Sequence, residues 1–118
     1  MEESAKYTEE EVHLLFAKKL NGKVGELLDN PSQTSSEDEL MIHAAHASCY
    51  YWLVVGTGLH HQRTEWLLSR VYTVRGMAEQ ALLHARRCLE LTRENAGVME
   101  DFDRAYAYES LARASALT

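Results

Sequence analysis

The chain has 118 residues, enough for one domain with one modest core. With 46% hydrophobic and 25% charged residues it has an ordinary globular composition. Its formal net charge of −6 offers no basic footprint for nucleic acid or anionic lipid.

The acidic, polar start MEESAKYTEEE is neither a secretory signal nor an Arg-rich transit peptide. No apolar run approaches the ~18 residues that a membrane span needs. Cys49 and Cys88 both lie among apolar residues in helical patterns, which reads as two reduced, buried thiols. A cytoplasmic protein without a nucleic-acid or membrane partner is expected. Sparse glycine and a single proline, Pro31, favour an all-α chain of long helices joined by few loops.

Residues 1–118 read as a single domain, with 1–7 as a disordered N-terminal segment. The first helix is expected over 8–29. Thr8 and Glu11 form a capping box, and Val12, Leu15, Phe16, Leu20, Val24, Leu27 and Leu28 recur at three and four. Gly22 and Gly25 weaken that helix, either to admit a close neighbour or to let it bend. The loop Asn30 to Ser35 follows. Ser36 and Glu39 then read as a second capping box for a helix over 37–56, apolar or small almost all round and therefore expected to be the central, most buried one. Gly56-Thr57-Gly58 should close it with a left-handed glycine cap. Further helices are expected over 60–75, 77–94 and 101–117, with Gly76 turning the chain between the third and fourth.

The segment LSRVYTVRGMAEQALLHARRCL, Leu68 to Leu89, sets Tyr72 four residues after Leu68 and Gly76 four further on. Ala81 and the small Cys88 follow. Leu and Tyr suit the packed side of one helix, Gly a tight turn, and small residues a closely approaching second helix. This pattern resembles a tetratricopeptide (TPR) helical hairpin, and AYAYESLARASAL resembles the first helix of a following repeat, with Leu111 in the place of Leu68. Ser69 stands where the family usually has glycine and Ala85 where it has an aromatic residue, and no proline closes the repeat. The two leucines lie farther apart than one ~34-residue period. The chain is similar to short bacterial TPR-like proteins of unassigned function. The resemblance implies antiparallel hairpins stacked as a short right-handed array of about five helices, and a concave groove for a peptide or protein partner. It implies no activity.

Six histidines raise a metal reading, with His43 and His46 three apart on one helix face. No carboxylate completes a ligand set in that stretch and no Cys-rich clip is present, so no metal or cofactor is expected. Ser48, Cys49, Ser69 and Ser110 are mid-helix, away from the turns that activate nucleophiles, so no catalytic residue is assigned. Met1, Met41, Met77 and Met99 are too dispersed for a cofactor box.

Arg63, Trp66, Arg70 and Thr73 share one face of the third helix, and Tyr106, Glu109 and Arg113 one face of the last. By the TPR resemblance this is the groove, with Arg70 and Glu109 facing each other beside Trp66. The bland alternative has Trp66 in the core and Arg70 paired with Glu109 to brace the helices. An interaction or scaffold module is the favoured reading. The alternatives are a ligand-binding protein or enzyme with a pocket near His43, His46, Tyr50, Trp66 and Arg70, and a structural subunit. The last helix carries apolar or aromatic residues in nearly every direction, while repeat arrays normally end in a solvating helix, so a homodimer through that helix is expected.

Overall fold

The computed structural model describes residues 6–118. Residues 1–5 of the expected disordered segment lie outside the described residues. Five α-helices follow in order: α1 Glu9–Leu28, α2 Ser35–Val55, α3 Gly58–Val74, α4 Ala78–Glu94 and α5 Asp101–Ser115. A short 3-10 turn at Ala96–Val98 precedes α5, and there is no strand among the described residues. The fold is all-α, as the composition and periodicity predict.

Helix starts are fixed by side chains that satisfy the first free N–H groups. At α1, Thr8 Oγ1 accepts from the Glu11 amide at 3.0 Å while Glu11 accepts from the Thr8 amide at 2.8 Å. At α2 the same reciprocal box is made by Thr34 and Glu37, at 3.2 and 2.9 Å. This corrects the expected box of Ser36 and Glu39. Both pairs have the required spacing, and the upstream pair lets α2 begin at Ser35, two residues before the expected start. Between α3 and α4, Gly76 has φ 72°, the left-handed conformation glycine adopts without cost. The Met77 amide reaches the Tyr72 carbonyl at 2.9 Å and the Gly76 amide reaches Thr73, a Schellman closure.

The α2–α3 corner differs from expectation. Gly56 is extended (φ −92°, ψ −176°), and no left-handed cap is formed there. Instead α3 begins early, with Thr57 as N-cap and its amide donating to His60 Nδ1 at 3.0 Å. A Cβ at position 58 would fall 2.0 Å from Asn95 Oδ1 at the end of α4, so the glycine leaves room for that side chain. Gly22 and Gly25, by contrast, face open space, and α1 runs unbroken past both. Neither admits a neighbouring helix.

Successive helices pack as hairpins, α1 on α2 and α3 on α4, with α2 against α3 and α5 lying on both α4 and α3. A ball of this many residues would have a radius of gyration of about 13.5 Å. The observed 15.5 Å and extents of 61 × 40 × 20 Å describe a slab about two helix diameters thick, an array of stacked hairpins. Val24, Leu27, Met41, Ala44, Ala45, Leu67, Leu68 and Val71 form one core between α1, α2 and α3. Tyr72, Ala81, Ala85 and Ala114 form a second between α3, α4 and α5, where small residues let the helices close up.

The central helix is α3, which corrects the expectation for α2. α3 packs on α2, α4 and α5, whereas α2 packs mainly on α1 and α3 and leaves Leu40, Tyr50, Leu53 and Val54 exposed. Two buried serines reinforce the hairpins. Ser48 Oγ donates to the Ala17 carbonyl and Ser69 Oγ to the Ala81 carbonyl, each at 2.9 Å. Ser69, where the TPR pattern has glycine, thus spends its hydroxyl on the neighbouring helix.

The cap assignment is directly testable. Thr34→Ala should lower the unfolding free energy by about 1 kcal/mol, and Ser36→Ala should change it by less than about 0.5 kcal/mol. Urea unfolding of both variants checks this, and the reverse order would contradict the observed helix start.

Candidate functional site

A cleft of about 230 Å³ opens between α3 and α5, with Asn21 of α1 at its edge. It is lined by Gln62, Arg63, Trp66 and Leu67 of α3 and by Phe102, Asp103 and Tyr106 of α5. Residues 62, 63 and 66, and likewise 102, 103 and 106, fall on one face of each helix because three and four residues complete a turn. Trp66 and Tyr106 stack across the gap with ring centroids 5.3 Å apart and planes 19° apart. Phe102 tilts against Tyr106 at 6.0 Å, and the Arg63 guanidinium lies 5.1 Å over the Phe102 ring. One wall is therefore continuous aromatic surface.

The floor is polar and buried. Asp103, 2% exposed, accepts from Arg63 Nε at 2.9 Å and from Arg63 Nη2 at 3.1 Å, a forked pair. It also accepts from the Glu100 amide at 2.9 Å, which satisfies a free donor at the start of α5. Burial pushes the Asp103 carboxyl up, but the hydrogen bonds from Arg63 and from the Glu100 backbone outweigh it and hold it below the usual carboxylate range.

Gln62, 1% exposed, sits beside this pair. Its Nε2 donates to Thr92 Oγ1 and to the Asp103 carbonyl, both at 3.0 Å. Thr92 in turn donates to the Cys88 carbonyl at 2.8 Å, so it is an acceptor toward Gln62. Both neighbours of that end are acceptors, which fixes the amide orientation and leaves Oε1 without a partner. Trp66 Nε1 is likewise buried and unpartnered. A buried polar atom in that condition costs about 1–3 kcal/mol until something bonds to it.

Arg63, Trp66 and Tyr106 of the expected groove meet in this cleft. Arg70, Thr73, Glu109 and Arg113 lie outside it. The facing of Arg70 and Glu109 as an ion pair is corrected: Glu109 pairs with Arg113 one turn along its own helix, the favourable order for an acid and a base four apart. Gln62, Asp103 and Asn21 were not expected in a site. Gln62 was readable as a polar residue one turn before Trp66, but the contact of Arg63 with Asp103, forty positions away, has no local signal in the sequence.

The pocket expected near His43, His46, Tyr50, Trp66 and Arg70 is not formed. His43, His46 and Tyr50 share one face of α2, as their spacing requires, and His43 and Tyr50 are exposed there. Trp66 faces α5 instead. His46 turns to α3, its Nε2 2.7 Å from the Tyr72 hydroxyl. Tyr72 stacks flat on His84 at 5.6 Å, and His84 Nδ1 meets Glu65 at 2.6 Å. Burial and the neighbouring His84 lower the His46 pKa. Among the described residues no cluster of three or more His, Cys, Asp or Glu has metal-holding geometry. Cys49 and Cys88 are free thiols, pushed by burial up to about 11 and about 12.

No known protein family, curated protein or solved structure matches the chain. No helix among the described residues is long and apolar enough to cross a membrane.

Asp103→Asn should lower stability at pH 7 by about 1–3 kcal/mol, the lower part of the range if solvent at the 43%-exposed Arg63 screens the pair. Because the folded-state pKa is depressed, this contribution is complete at neutral pH. It declines once the pH falls below the unfolded value of about 3.9 and is lost as the pH falls through the folded one. Urea unfolding at pH 7 and pH 3 checks this: the gap between the two proteins should narrow at the lower pH, and a constant gap would contradict the assignment.

Proposed function

We propose that this protein is an interaction module of TPR-like type that captures a segment of a partner protein in the cleft between α3 and α5, in a cytoplasmic setting. The observation that carries this reading is the Trp66–Tyr106–Phe102 wall beside Arg63 at the mouth of the cleft. Trp, Tyr and Arg supply most binding energy at protein interfaces; here Trp66 and Tyr106 offer rigid aromatic area that orders at little entropic cost, while the Arg63 fork is held by Asp103. The volume of about 230 Å³ falls short of the ~300–1,000 Å³ of small-molecule and cofactor sites, and suits one or two side chains of a bound segment. The raised thiol pKa values favour a binding role, because protonated cysteines are poor nucleophiles at neutral pH.

Panning a displayed library of random peptides on the folded protein tests the proposal. Selected peptides should bind the wild type at least about tenfold more tightly than Tyr106→Ala, a difference of about 1.4 kcal/mol. Tyr106 is about half exposed and outside both buried core clusters, so the variant is expected to retain its fold. Absence of any enriched peptide, or equal binding to both proteins, overturns the reading.

A second reading, a homodimer through α5, is favoured by the exposed Phe102, Tyr106, Tyr108 and Leu117. Light scattering at tens of micromolar should then give twice the 13.4 kDa chain mass, and a mass of one chain would refute it.

A further inference from the structure

We propose that the α2–α3 corner is an acid-released latch: neutral His60 holds the first turn of α3 closed, and a proton on its imidazole opens it. The inference stands apart from the peptide-binding proposal above.

At the starts of α1 and α2 a glutamate reaches back to the cap amide. At α3 the same position is held by His60, whose Nδ1 accepts from the Thr57 amide at 3.0 Å and lies 3.3 Å from the Thr57 hydroxyl. A backbone N–H can only donate, so Nδ1 carries the lone pair and the ring proton sits on Nε2. A histidine fills this role only while neutral, because both nitrogens of an imidazolium are donors. Protonation therefore sets two N–H groups against each other at the cap. The hydroxyl can turn to accept, but the amide cannot, and a free N–H is left at the helix start.

The surroundings act in the same direction. The positive end of the α3 dipole opposes an imidazolium, and the first turn of α3 has no acidic residue to offset it. The charged and titratable groups that act on the ring are Arg63 and His61 of its own helix and Lys18 of α1, all cationic or able to become so. From α2 the Trp52 ring stacks on the imidazole at 4.3 Å with planes 12° apart, and α4 places the uncharged Asn95 beside Gly58. Gly56 leaves room for the ring to close, since a Cβ there would fall 2.8 Å from His60 Cβ. Burial first, and then the charge of Arg63, hold the His60 pKa below the ordinary histidine value. Because the folded-state pKa is lowered, neutral His60 supports the corner fully above the unfolded value of about 6.5. That support is lost as the pH falls through the folded value. His61 does not share this sensitivity. Its Nε2 donates to the Trp52 carbonyl at 3.0 Å, which it does in either charge state. The corner joins the α1–α2 hairpin to α3, and Gln62 and Arg63 of the cleft follow it directly. Opening the latch frees the end of α3 that carries them.

His60→Gln supplies the test, because a glutamine carbonyl at this helix position accepts from the cap amide without titrating. Wild type and H60Q are unfolded in urea at pH 7.5 and at pH 5. The His60 ring, Thr57 amide and Trp52 indole signals of the folded wild type are followed by NMR across the same range. Between the two pH values the folding equilibrium of the wild type should fall about threefold or more further than that of H60Q, the smaller part of what loss of a helix cap brings. His60 should titrate with a midpoint below about 6.5, and the Thr57 amide and Trp52 indole should follow the same curve. Equal losses in the two proteins, a His60 midpoint at or above about 6.5, or a Thr57 amide that does not move with it each overturns the inference. Should H60Q fail to fold, the titration of the wild type decides alone.

Discussion

The buried carboxylate of Asp103 is the point on which the second half of the molecule turns. It sits in the first turn of α5, accepts the Arg63 fork from α3 and the Glu100 amide from its own helix start, and its backbone carbonyl accepts from Gln62. A charge so deeply buried is tolerated only when its oxygens are filled, and here three donors fill them. The arrangement ties α5 to α3 in one register and one rotation. Phe102 and Tyr106, one residue before and three after Asp103, are carried to the mouth of the cleft by that same rotation. The aromatic wall is thus a consequence of the polar lock beneath it.

The scaffold that presents this lock relies on close helix approach more than on large side chains. Ala81, Ala85, Cys88, Ala107 and Ala114 are fully buried where α4 and α5 meet α3. Thr92, buried in α4, links Gln62 to the Cys88 carbonyl, so α3, α4 and α5 share one hydrogen-bonded chain. Toward the other end, Arg75 at the close of α3 reaches Asp38 near the start of α2 at 2.6 Å. α3 is held on both sides, which suits the helix that supplies half of the residues lining the cleft.

What was legible in the sequence follows the range of the forces involved. Helices are readable because caps, apolar periodicity and a turn glycine act within a few residues: Thr8 with Glu11 and Gly76 behave as their spacing predicts, while of the apolar stripe of α1 Val24 and Leu27 are buried and Leu15 and Phe16 stay exposed. The start of α2 is ambiguous in the sequence because two capping pairs, Thr34 with Glu37 and Ser36 with Glu39, overlap within the six residues 34–39. The sequence of α2 points to a central helix because it is apolar nearly all round, yet an apolar surface does not tell how many neighbours cover it, and Leu53 and Val54 are exposed. Arg63, Trp66 and Tyr106 were readable as a strip, since each lies on a helix face of stated spacing. Asp103 and Gln62 were not, because their meaning comes from a partner on another helix. Arg70 and Glu109 were paired across helices for want of that information, whereas Glu109 had a nearer base in Arg113.

A double-mutant cycle on Arg63→Leu and Asp103→Asn, measured by urea unfolding at pH 7, tests the central claim that this pair fixes α5 on α3. The account predicts that the two single changes are not additive and that the pair contributes a favourable coupling of about 1 kcal/mol or more. Additive effects, with coupling within about 0.3 kcal/mol of zero, would show that α5 is held by packing alone and would contradict it.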